Sequence, residues 1–283
     1  MSMTVNRGTD KMLYKEFLLK EIEPSLQSSN AILRIYISSR NEAVSLRPGM
    51  LVLPGGGYSM CSPREAEPIA FRFLAEGFNC FILDYSPYQK YPVPHLEVAA
   101  AMNYIRKHEV EFDLIKDSLS IIGFSAGGHL AASYSYLFRE LVDQLCFDPE
   151  FIKPRATLLG YPVTLMNEKT HQGTKEIITG LEPELIRKLD VPSHITIEYP
   201  PTFVWATKDD EMVPVENSIE LAKALERNHV KHKCIIYESG RHGLSLDNRS
   251  VYLKSDITEK MKNVRDWASQ AADFVFEVTD NEN

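Results

Sequence analysis

Four short segments carry residue types that could act together on one reaction. The first is Gly123-Phe124-Ser125-Ala126-Gly127, a G-x-S-x-G pattern. Five residues alone are a loose signal, but this one ends the apolar run LSIIGFS and opens the helical pattern AGGHLAASYSYLF. A serine held on a sharp strand-to-helix turn presents its hydroxyl clear of the sheet, and small neighbours leave room for that backbone. The helix that follows points its N-terminus at the site and favours developing negative charge. The second segment is Pro54-Gly55-Gly56-Gly57-Tyr58, after the run MLVLP. Its glycines bare their N–H groups, which acyl transfer needs around the oxyanion of a tetrahedral intermediate. Removing one such donor costs about 2.7–4 kcal/mol in the transition state. The expected donors are the backbones of Gly56, Gly57 and Ala126. A phosphate cradle would use glycines in the same way, but no Lys-Ser/Thr follows, and the spacing does not suit a dinucleotide.

The third segment is Thr207-Lys208-Asp209-Asp210-Glu211-Met212-Val213-Pro214, after TFVWA. A carboxylate at a strand end can accept Nδ1–H from an imidazole, fixing its tautomer and stabilising the imidazolium. Asp209 and Asp210 compete for that role, and both could instead be turn-forming acids. The fourth is Glu238-Ser239-Gly240-Arg241-His242-Gly243-Leu244, after KCIIYE. A histidine between glycines in a loop beyond the last strand can reach a serine hydroxyl as general base. His129 reads as a packed or capping residue. His95, His108, His194, His229 and His232 read as ordinary polar positions, and His171 is a candidate to line a pocket. Tyr58, Arg64 and Glu65 follow the glycine loop and are further pocket candidates; a plain loop-to-helix junction explains them equally well.

Each segment needs a strand to carry it. The alternating runs at 13–22 and 31–38 predict an antiparallel edge. Apolar runs at 50–57, 80–87, 119–125, 156–163, 202–210 and 233–240 predict strands buried on both faces of a parallel sheet. Helical patterns lie at 64–77, 95–108, 126–141, 216–230 and 260–278. Strand–helix alternation implies right-handed βαβ units in one doubly wound α/β sheet of about eight strands. Residues 164–200 break the rhythm: they are polar, hold one short helical pattern at 182–190, and are too long for a plain connection. They are expected to form a small cap over the site, with a surface excursion as the alternative. The 283 residues are read as a single domain with that insertion.

Composition narrows the partners. A formal net charge of -8 disfavours a nucleic-acid binder and electrostatic docking on anionic membranes. Cys61, Cys80, Cys146 and Cys234 are widely spaced, form no CxxC pair, and read as reduced thiols rather than a zinc site. The N-terminal residues hold no apolar run fit for a signal peptide. A cytoplasmic protein is expected, although a chain that has lost its leader would look the same.

With PGGGY at 54–58, REAEP at 64–68, GFSAGGH at 123–129, DDEMVPVENS at 209–218 and HGLSL at 242–246, the chain resembles the esterase/lipase branch of the α/β-hydrolases over residues 30–275. That branch includes hormone-sensitive-lipase-like carboxylesterases and bacterial acetyl-esterase and acetyl-xylan-esterase-like proteins. The order Ser125, Asp210, His242 is that of its triad. The Asp-x-x-Val-Pro arrangement of these relatives selects Asp210 over Asp209. Lipase-like relatives carry His-Gly-Gly-Gly where Pro54 stands here, a departure the acetyl-esterase-like relatives tolerate. The resemblance therefore implies an α/β-hydrolase fold and a serine esterase acting on short acyl, foremost acetyl, esters. Sugar esters are implied by resemblance alone. No metal or organic cofactor is expected; the expected partner is a small-molecule ester, and a homo-oligomer stays open. A small amidase or peptidase on the same fold, and a non-catalytic hydrolase-fold binding protein, are the rival readings.

Overall fold

A computed structural model describes residues 11–40, 46–251 and 264–280. Alternation in LYKEFL produces an edge strand, β1 (Leu13–Leu18), with Leu13, Lys15 and Phe17 on its inner face. It pairs antiparallel with β2 (Ile32–Ile37), which pairs antiparallel with β4 (Asn79–Asp84). The remaining strands are β3 (Gly49–Leu53), β5 (Ser120–Phe124), β6 (Thr157–Gly160), β7 (Thr202–Thr207) and β8 (His232–Tyr237). All run parallel from β4 onward, in the order β1-β2-β4-β3-β5-β6-β7-β8.

The continuous apolar runs are explained by burial on both faces. In β3, Leu51 and Leu53 enter one core while Met50 and Val52 enter the other, as a side-chain period of two requires. Helices Val93–Lys107, Ser125–Leu145 and Glu216–Arg227 cover the first core. Helices Glu67–Ala75 and Trp267–Asp280 cover the second. The start of the predicted last helix, 260–263, lies outside the described residues.

Between β6 and β7 the chain forms helices Gln172–Thr179 and Pro183–Lys188 and a 3-10 turn Val191–His194. The first of these was not foreseen: Gly173 and the β-branched run Ile177-Ile178-Thr179 weaken its propensity, and His171 caps it with Nδ1 in place of an oxygen side chain. Among the described residues no helix is long and apolar enough to cross a membrane, and no group of three His, Cys, Asp or Glu could hold a metal.

Candidate active site

The carboxyl ends of β3, β5, β6, β7 and β8 converge, the position at which open α/β sheets bind ligands. β5 ends at Phe124, and the helix begins at Ser125 itself. Ser125 has φ 52°, a left-handed value costly for a side chain with a Cβ. The glycines around it are obligatory. A Cβ on Gly123 would strike the Gly127 carbonyl, and one on Gly127 would strike the carbonyls of Leu53 and Pro54. The elbow therefore packs directly on the glycine loop. Gly55 shows the same closeness, since its Cβ position lies 3.0 Å from Ser125 Cβ.

His242 bridges two of the other segments. Its Nδ1 lies 2.7 Å from Asp210 Oδ2 and its Nε2 lies 2.8 Å from Ser125 Oγ. An ionised carboxylate only accepts, so Nδ1 donates to Asp210, and Nε2 is left to accept the Ser125 hydroxyl proton. Asp210 is itself held: its Oδ1 accepts N–H bonds from Met212 and Val213, each 2.9 Å. Asp209 does other work. Its carboxylate accepts from Ser239 Oγ at 2.7 Å and from Gly240 N at 2.6 Å, which fixes the base of the His242 loop. Ser125 is 8% exposed, so the residue is nearly but not fully buried.

The N–H groups of Gly56, Gly57 and Ala126 make no hydrogen bond to any described residue. Ala126 is the second residue of its helix, where N–H groups have no intrahelical acceptor. Gly56 and Gly57 have φ 129° and 65°, values that favour glycine.

The four pocket candidates divide. His171 lies beside the glycine loop: its Cε1 is 3.6 Å from the Cβ position of Gly57. Burial, then the neighbouring His242, pushes its pKa down, and Nδ1 accepts from Thr174 N. The neutral ring therefore carries its proton on Nε2. Arg64 turns toward the histidine loop, donating from Nη2 to the Gly243 carbonyl at 3.1 Å. Tyr58 and Glu65 correct the expectation, because both are buried. Tyr58 is 0% exposed, with its hydroxyl 2.9 Å from His129 Nδ1 behind the loop. Glu65 is 3% exposed, because the 3-10 turn Pro63–Glu65 folds it back under Gly55.

Sequence reasoning missed Tyr161. It follows β6 directly, its ring meets the His242 imidazole edge-on at 5.0 Å, and its hydroxyl donates to Glu65 at 2.6 Å. The available signal was its place at the end of the strand beside that of Ser125. His129 was rightly read as a packed residue: it accepts from Tyr58 and donates from Nε2 to the Leu189 carbonyl at 3.0 Å.

A serine on a left-handed strand-to-helix turn, met by a histidine from the loop beyond the last strand of a mostly parallel eight-stranded sheet, defines the α/β-hydrolase class. The chain belongs to the BD-FAE family of that class, whose sequence profile matches residues 33–225. It is 30% identical over 253 residues to endo-1,4-beta-xylanase B of Butyrivibrio fibrisolvens, covering 84% of this chain and 39% of that protein. It is 29% identical over 227 residues to the acetylxylan esterase of Xylanibacter ruminicola, covering 75% of this chain and 45% of the relative. The chain thus spans less than half the length of these curated relatives. Among solved structures, the acetyl ester-xyloside bifunctional hydrolase of Caldicellulosiruptor lactoaceticus matches with a TM-score of 0.76 at 31% identity, covering 89% of each chain. The carboxylesterase Cest-2923 of Lactobacillus plantarum matches with a TM-score of 0.80 at 26% identity, covering 95% of this chain and 98% of that one.

Proposed function

We propose that the protein is a serine carboxylesterase that cleaves short acyl esters, acetyl esters of sugars foremost, through an acyl-enzyme. The observation that carries the reading is the unbroken hydrogen-bonded chain from Ser125 Oγ through His242 to Asp210, at 2.8 and 2.7 Å. Nε2 of His242 takes the Ser125 proton as Oγ attacks the ester carbonyl. The N–H groups of Gly56, Gly57 and Ala126 receive the oxyanion. The tetrahedral intermediate collapses as Nε2 returns the proton to the departing alcohol, leaving the acyl group on Oγ. Water then gives its proton to Nε2 and attacks the acyl carbon, and the acid leaves as Oγ recovers its proton. Asp210 stays ionised throughout and stabilises the imidazolium.

The short-acyl preference draws on Pro54 in place of the lipase-like histidine and on the xylan-directed names of several relatives. His171, with Nε2–H available beside Gly57, is suited to a hydroxyl or ring oxygen on the substrate.

The test compares wild type and Ser125→Ala on p-nitrophenyl acetate, butyrate and octanoate, then on acetylated xylan. The expected result is turnover falling from acetate to octanoate, acetate released from xylan, and loss of at least 10³-fold in the variant. Equal trace rates in both proteins would sink the reading.

A further inference from the structure

Glu65 is a buried carboxylate that forms no salt bridge among the described residues, and both of its oxygens are engaged. Oε2 accepts from the Gly55 N–H at 2.9 Å, one residue before the candidate oxyanion donors. Oε1 accepts the Tyr161 hydroxyl proton at 2.6 Å. The same hydroxyl oxygen accepts from the Ser245 N–H at 3.0 Å, three residues after His242. The turn carrying Glu65 grips the histidine loop twice more: Arg64 Nη2 donates to the Gly243 carbonyl at 3.1 Å, and Ser245 Oγ donates to the Arg64 carbonyl at 2.6 Å. Ser245 is left-handed, φ 53°, and its own carbonyl accepts from the Trp267 indole at 2.9 Å. The fit is close on the other side too, because a Cβ on Gly55 would lie 2.6 Å from Glu65 Oε2.

The chemistry of this position selects a carboxylate. Two donors, Gly55 N–H and Tyr161 O–H, converge on one side chain, and only an ionised acid accepts at both ends. Burial pushes the Glu65 carboxyl up, and the Tyr161 hydroxyl, His242 and the Gly55 N–H act against it. Burying a lone carboxylate is costly, and the two hydrogen bonds from Gly55 and Tyr161 offset that cost.

We propose that Glu65 is a positioning residue of the esterase reaction: through Gly55 it sets the oxyanion loop, through Tyr161 the His242 loop, and so holds the anion-binding and proton-transferring halves of the site in register. The proposal rests on the esterase reading above. Glu65 touches no reacting atom, so its removal leaves substrate binding in place and misaligns the transition state. Misplacement on the order of 1 Å from outside the chemistry can cost 10²-fold.

The test uses Glu65→Gln, Tyr161→Phe and the double variant, each assayed on p-nitrophenyl acetate. The concentration of reactive sites comes from the burst with a p-nitrophenyl phosphonate ester. Glutamine keeps the shape but offers one acceptor and one donor, so either the Gly55 N–H loses its acceptor or the Tyr161 hydroxyl must turn its proton away from position 65. Phenylalanine keeps the ring beside His242 and removes the hydroxyl. Per reactive site, each single variant is expected to lower kcat at least 10-fold with KM within 2-fold of wild type. The double variant should fall no further than about 3-fold below the worse single one, because both act through one chain. Loss of packing alone would lower Tm and the number of reactive sites but not kcat per site. A kcat per site within 2-fold of wild type, or losses that multiply in the double variant, would overturn the proposal. If Glu65→Gln does not fold, Tyr161→Phe decides by the same kcat criterion. A wild type that neither hydrolyses the ester nor reacts with the phosphonate would instead remove the esterase reading itself.

Discussion

Asp209 and Asp210 are neighbours in the chain, yet they hold opposite ends of one loop. Asp210 reaches the imidazole of His242, and Asp209 reaches Gly240 N and Ser239 Oγ at the root of the same loop. The turn after β7 sends the two carboxylates apart. Asp210 goes inward, its carboxylate 1% exposed and pinned by the Met212 and Val213 amides, while Asp209 stays at the rim. Their substitution should therefore separate two effects. Asp210→Asn presents a donor or a weaker acceptor to Nδ1 and favours the wrong imidazole tautomer. Its kcat is expected to fall about 10³–10⁴-fold with little change in KM, as loss of the orienting carboxylate does elsewhere. Asp209→Asn keeps one acceptor and should lower kcat about 10-fold or less. Steady-state kinetics on one aryl acetate decides it, and equal losses in the two variants would refute the division of roles.

That division marks where sequence reading stops. The strands were legible because each is an apolar run long enough to be buried on both faces, and each active-site segment sits after one of them. Ser125 and His242 were legible for the same reason: small residues lie within two positions on either side of each, and no other histidine follows a strand in that way. Which of two adjacent acids faces the imidazole depends on the path of the turn, set by the Met212 and Val213 amides, and the residues alone leave it open. Tyr58 and Glu65 were misplaced because proximity in sequence to the glycine loop does not say which side of it a residue takes. A single 3-10 turn at Pro63–Glu65 puts the carboxylate underneath. Tyr161 went unseen because its partners, Glu65 and Ser245, are 96 and 84 residues away.

The glycine loop offers a second prediction, because its two left-handed glycines differ in the space around them. A Cβ on Gly56 would strike the Met60 carbonyl, a backbone atom that cannot swing aside. A Cβ on Gly57 meets nothing nearer than His171 Cε1, at 3.6 Å. Gly57→Ala should thus pay only the conformational cost of a left-handed alanine, about 1–2 kcal/mol, and keep its N–H. It is expected to fold with kcat within about 10-fold of wild type. Gly56→Ala must displace the 56–60 turn and should lose at least about 10²-fold, as removal of one oxyanion donor does. Urea unfolding and kcat on p-nitrophenyl acetate, measured on both, test the ranking; a more damaging change at Gly57 would show that the loop does not lie as described.

His129 supplies a prediction in pH. It is fully buried on the helix after Ser125, accepting from Tyr58 and donating to Leu189 in the insertion, so it ties that segment to the back of the glycine loop. Burial lowers its pKa to about 4, against the raising effects of the Leu189 carbonyl and of Asp190. The unfolded value is about 6.5. Between the two, the unfolded chain binds a proton that the folded chain refuses. Stability due to this group is therefore present above about pH 6.5 and is lost as the pH falls toward about 4, a change on the order of 3 kcal/mol. Buried Glu65 and Glu97 have raised pKa values and act in the opposite sense, and His95, also lowered by burial, acts in the same sense, so the total curve mixes them. The difference between wild type and His129→Gln isolates the one group, because glutamine can still accept from Tyr58 and donate to Leu189 but cannot titrate. Urea unfolding at pH 7 and about pH 4.5 should show wild type losing more stability than the variant, by most of that 3 kcal/mol. Parallel losses would mean that His129 is protonated in the folded protein and that its link to Tyr58 opens in acid.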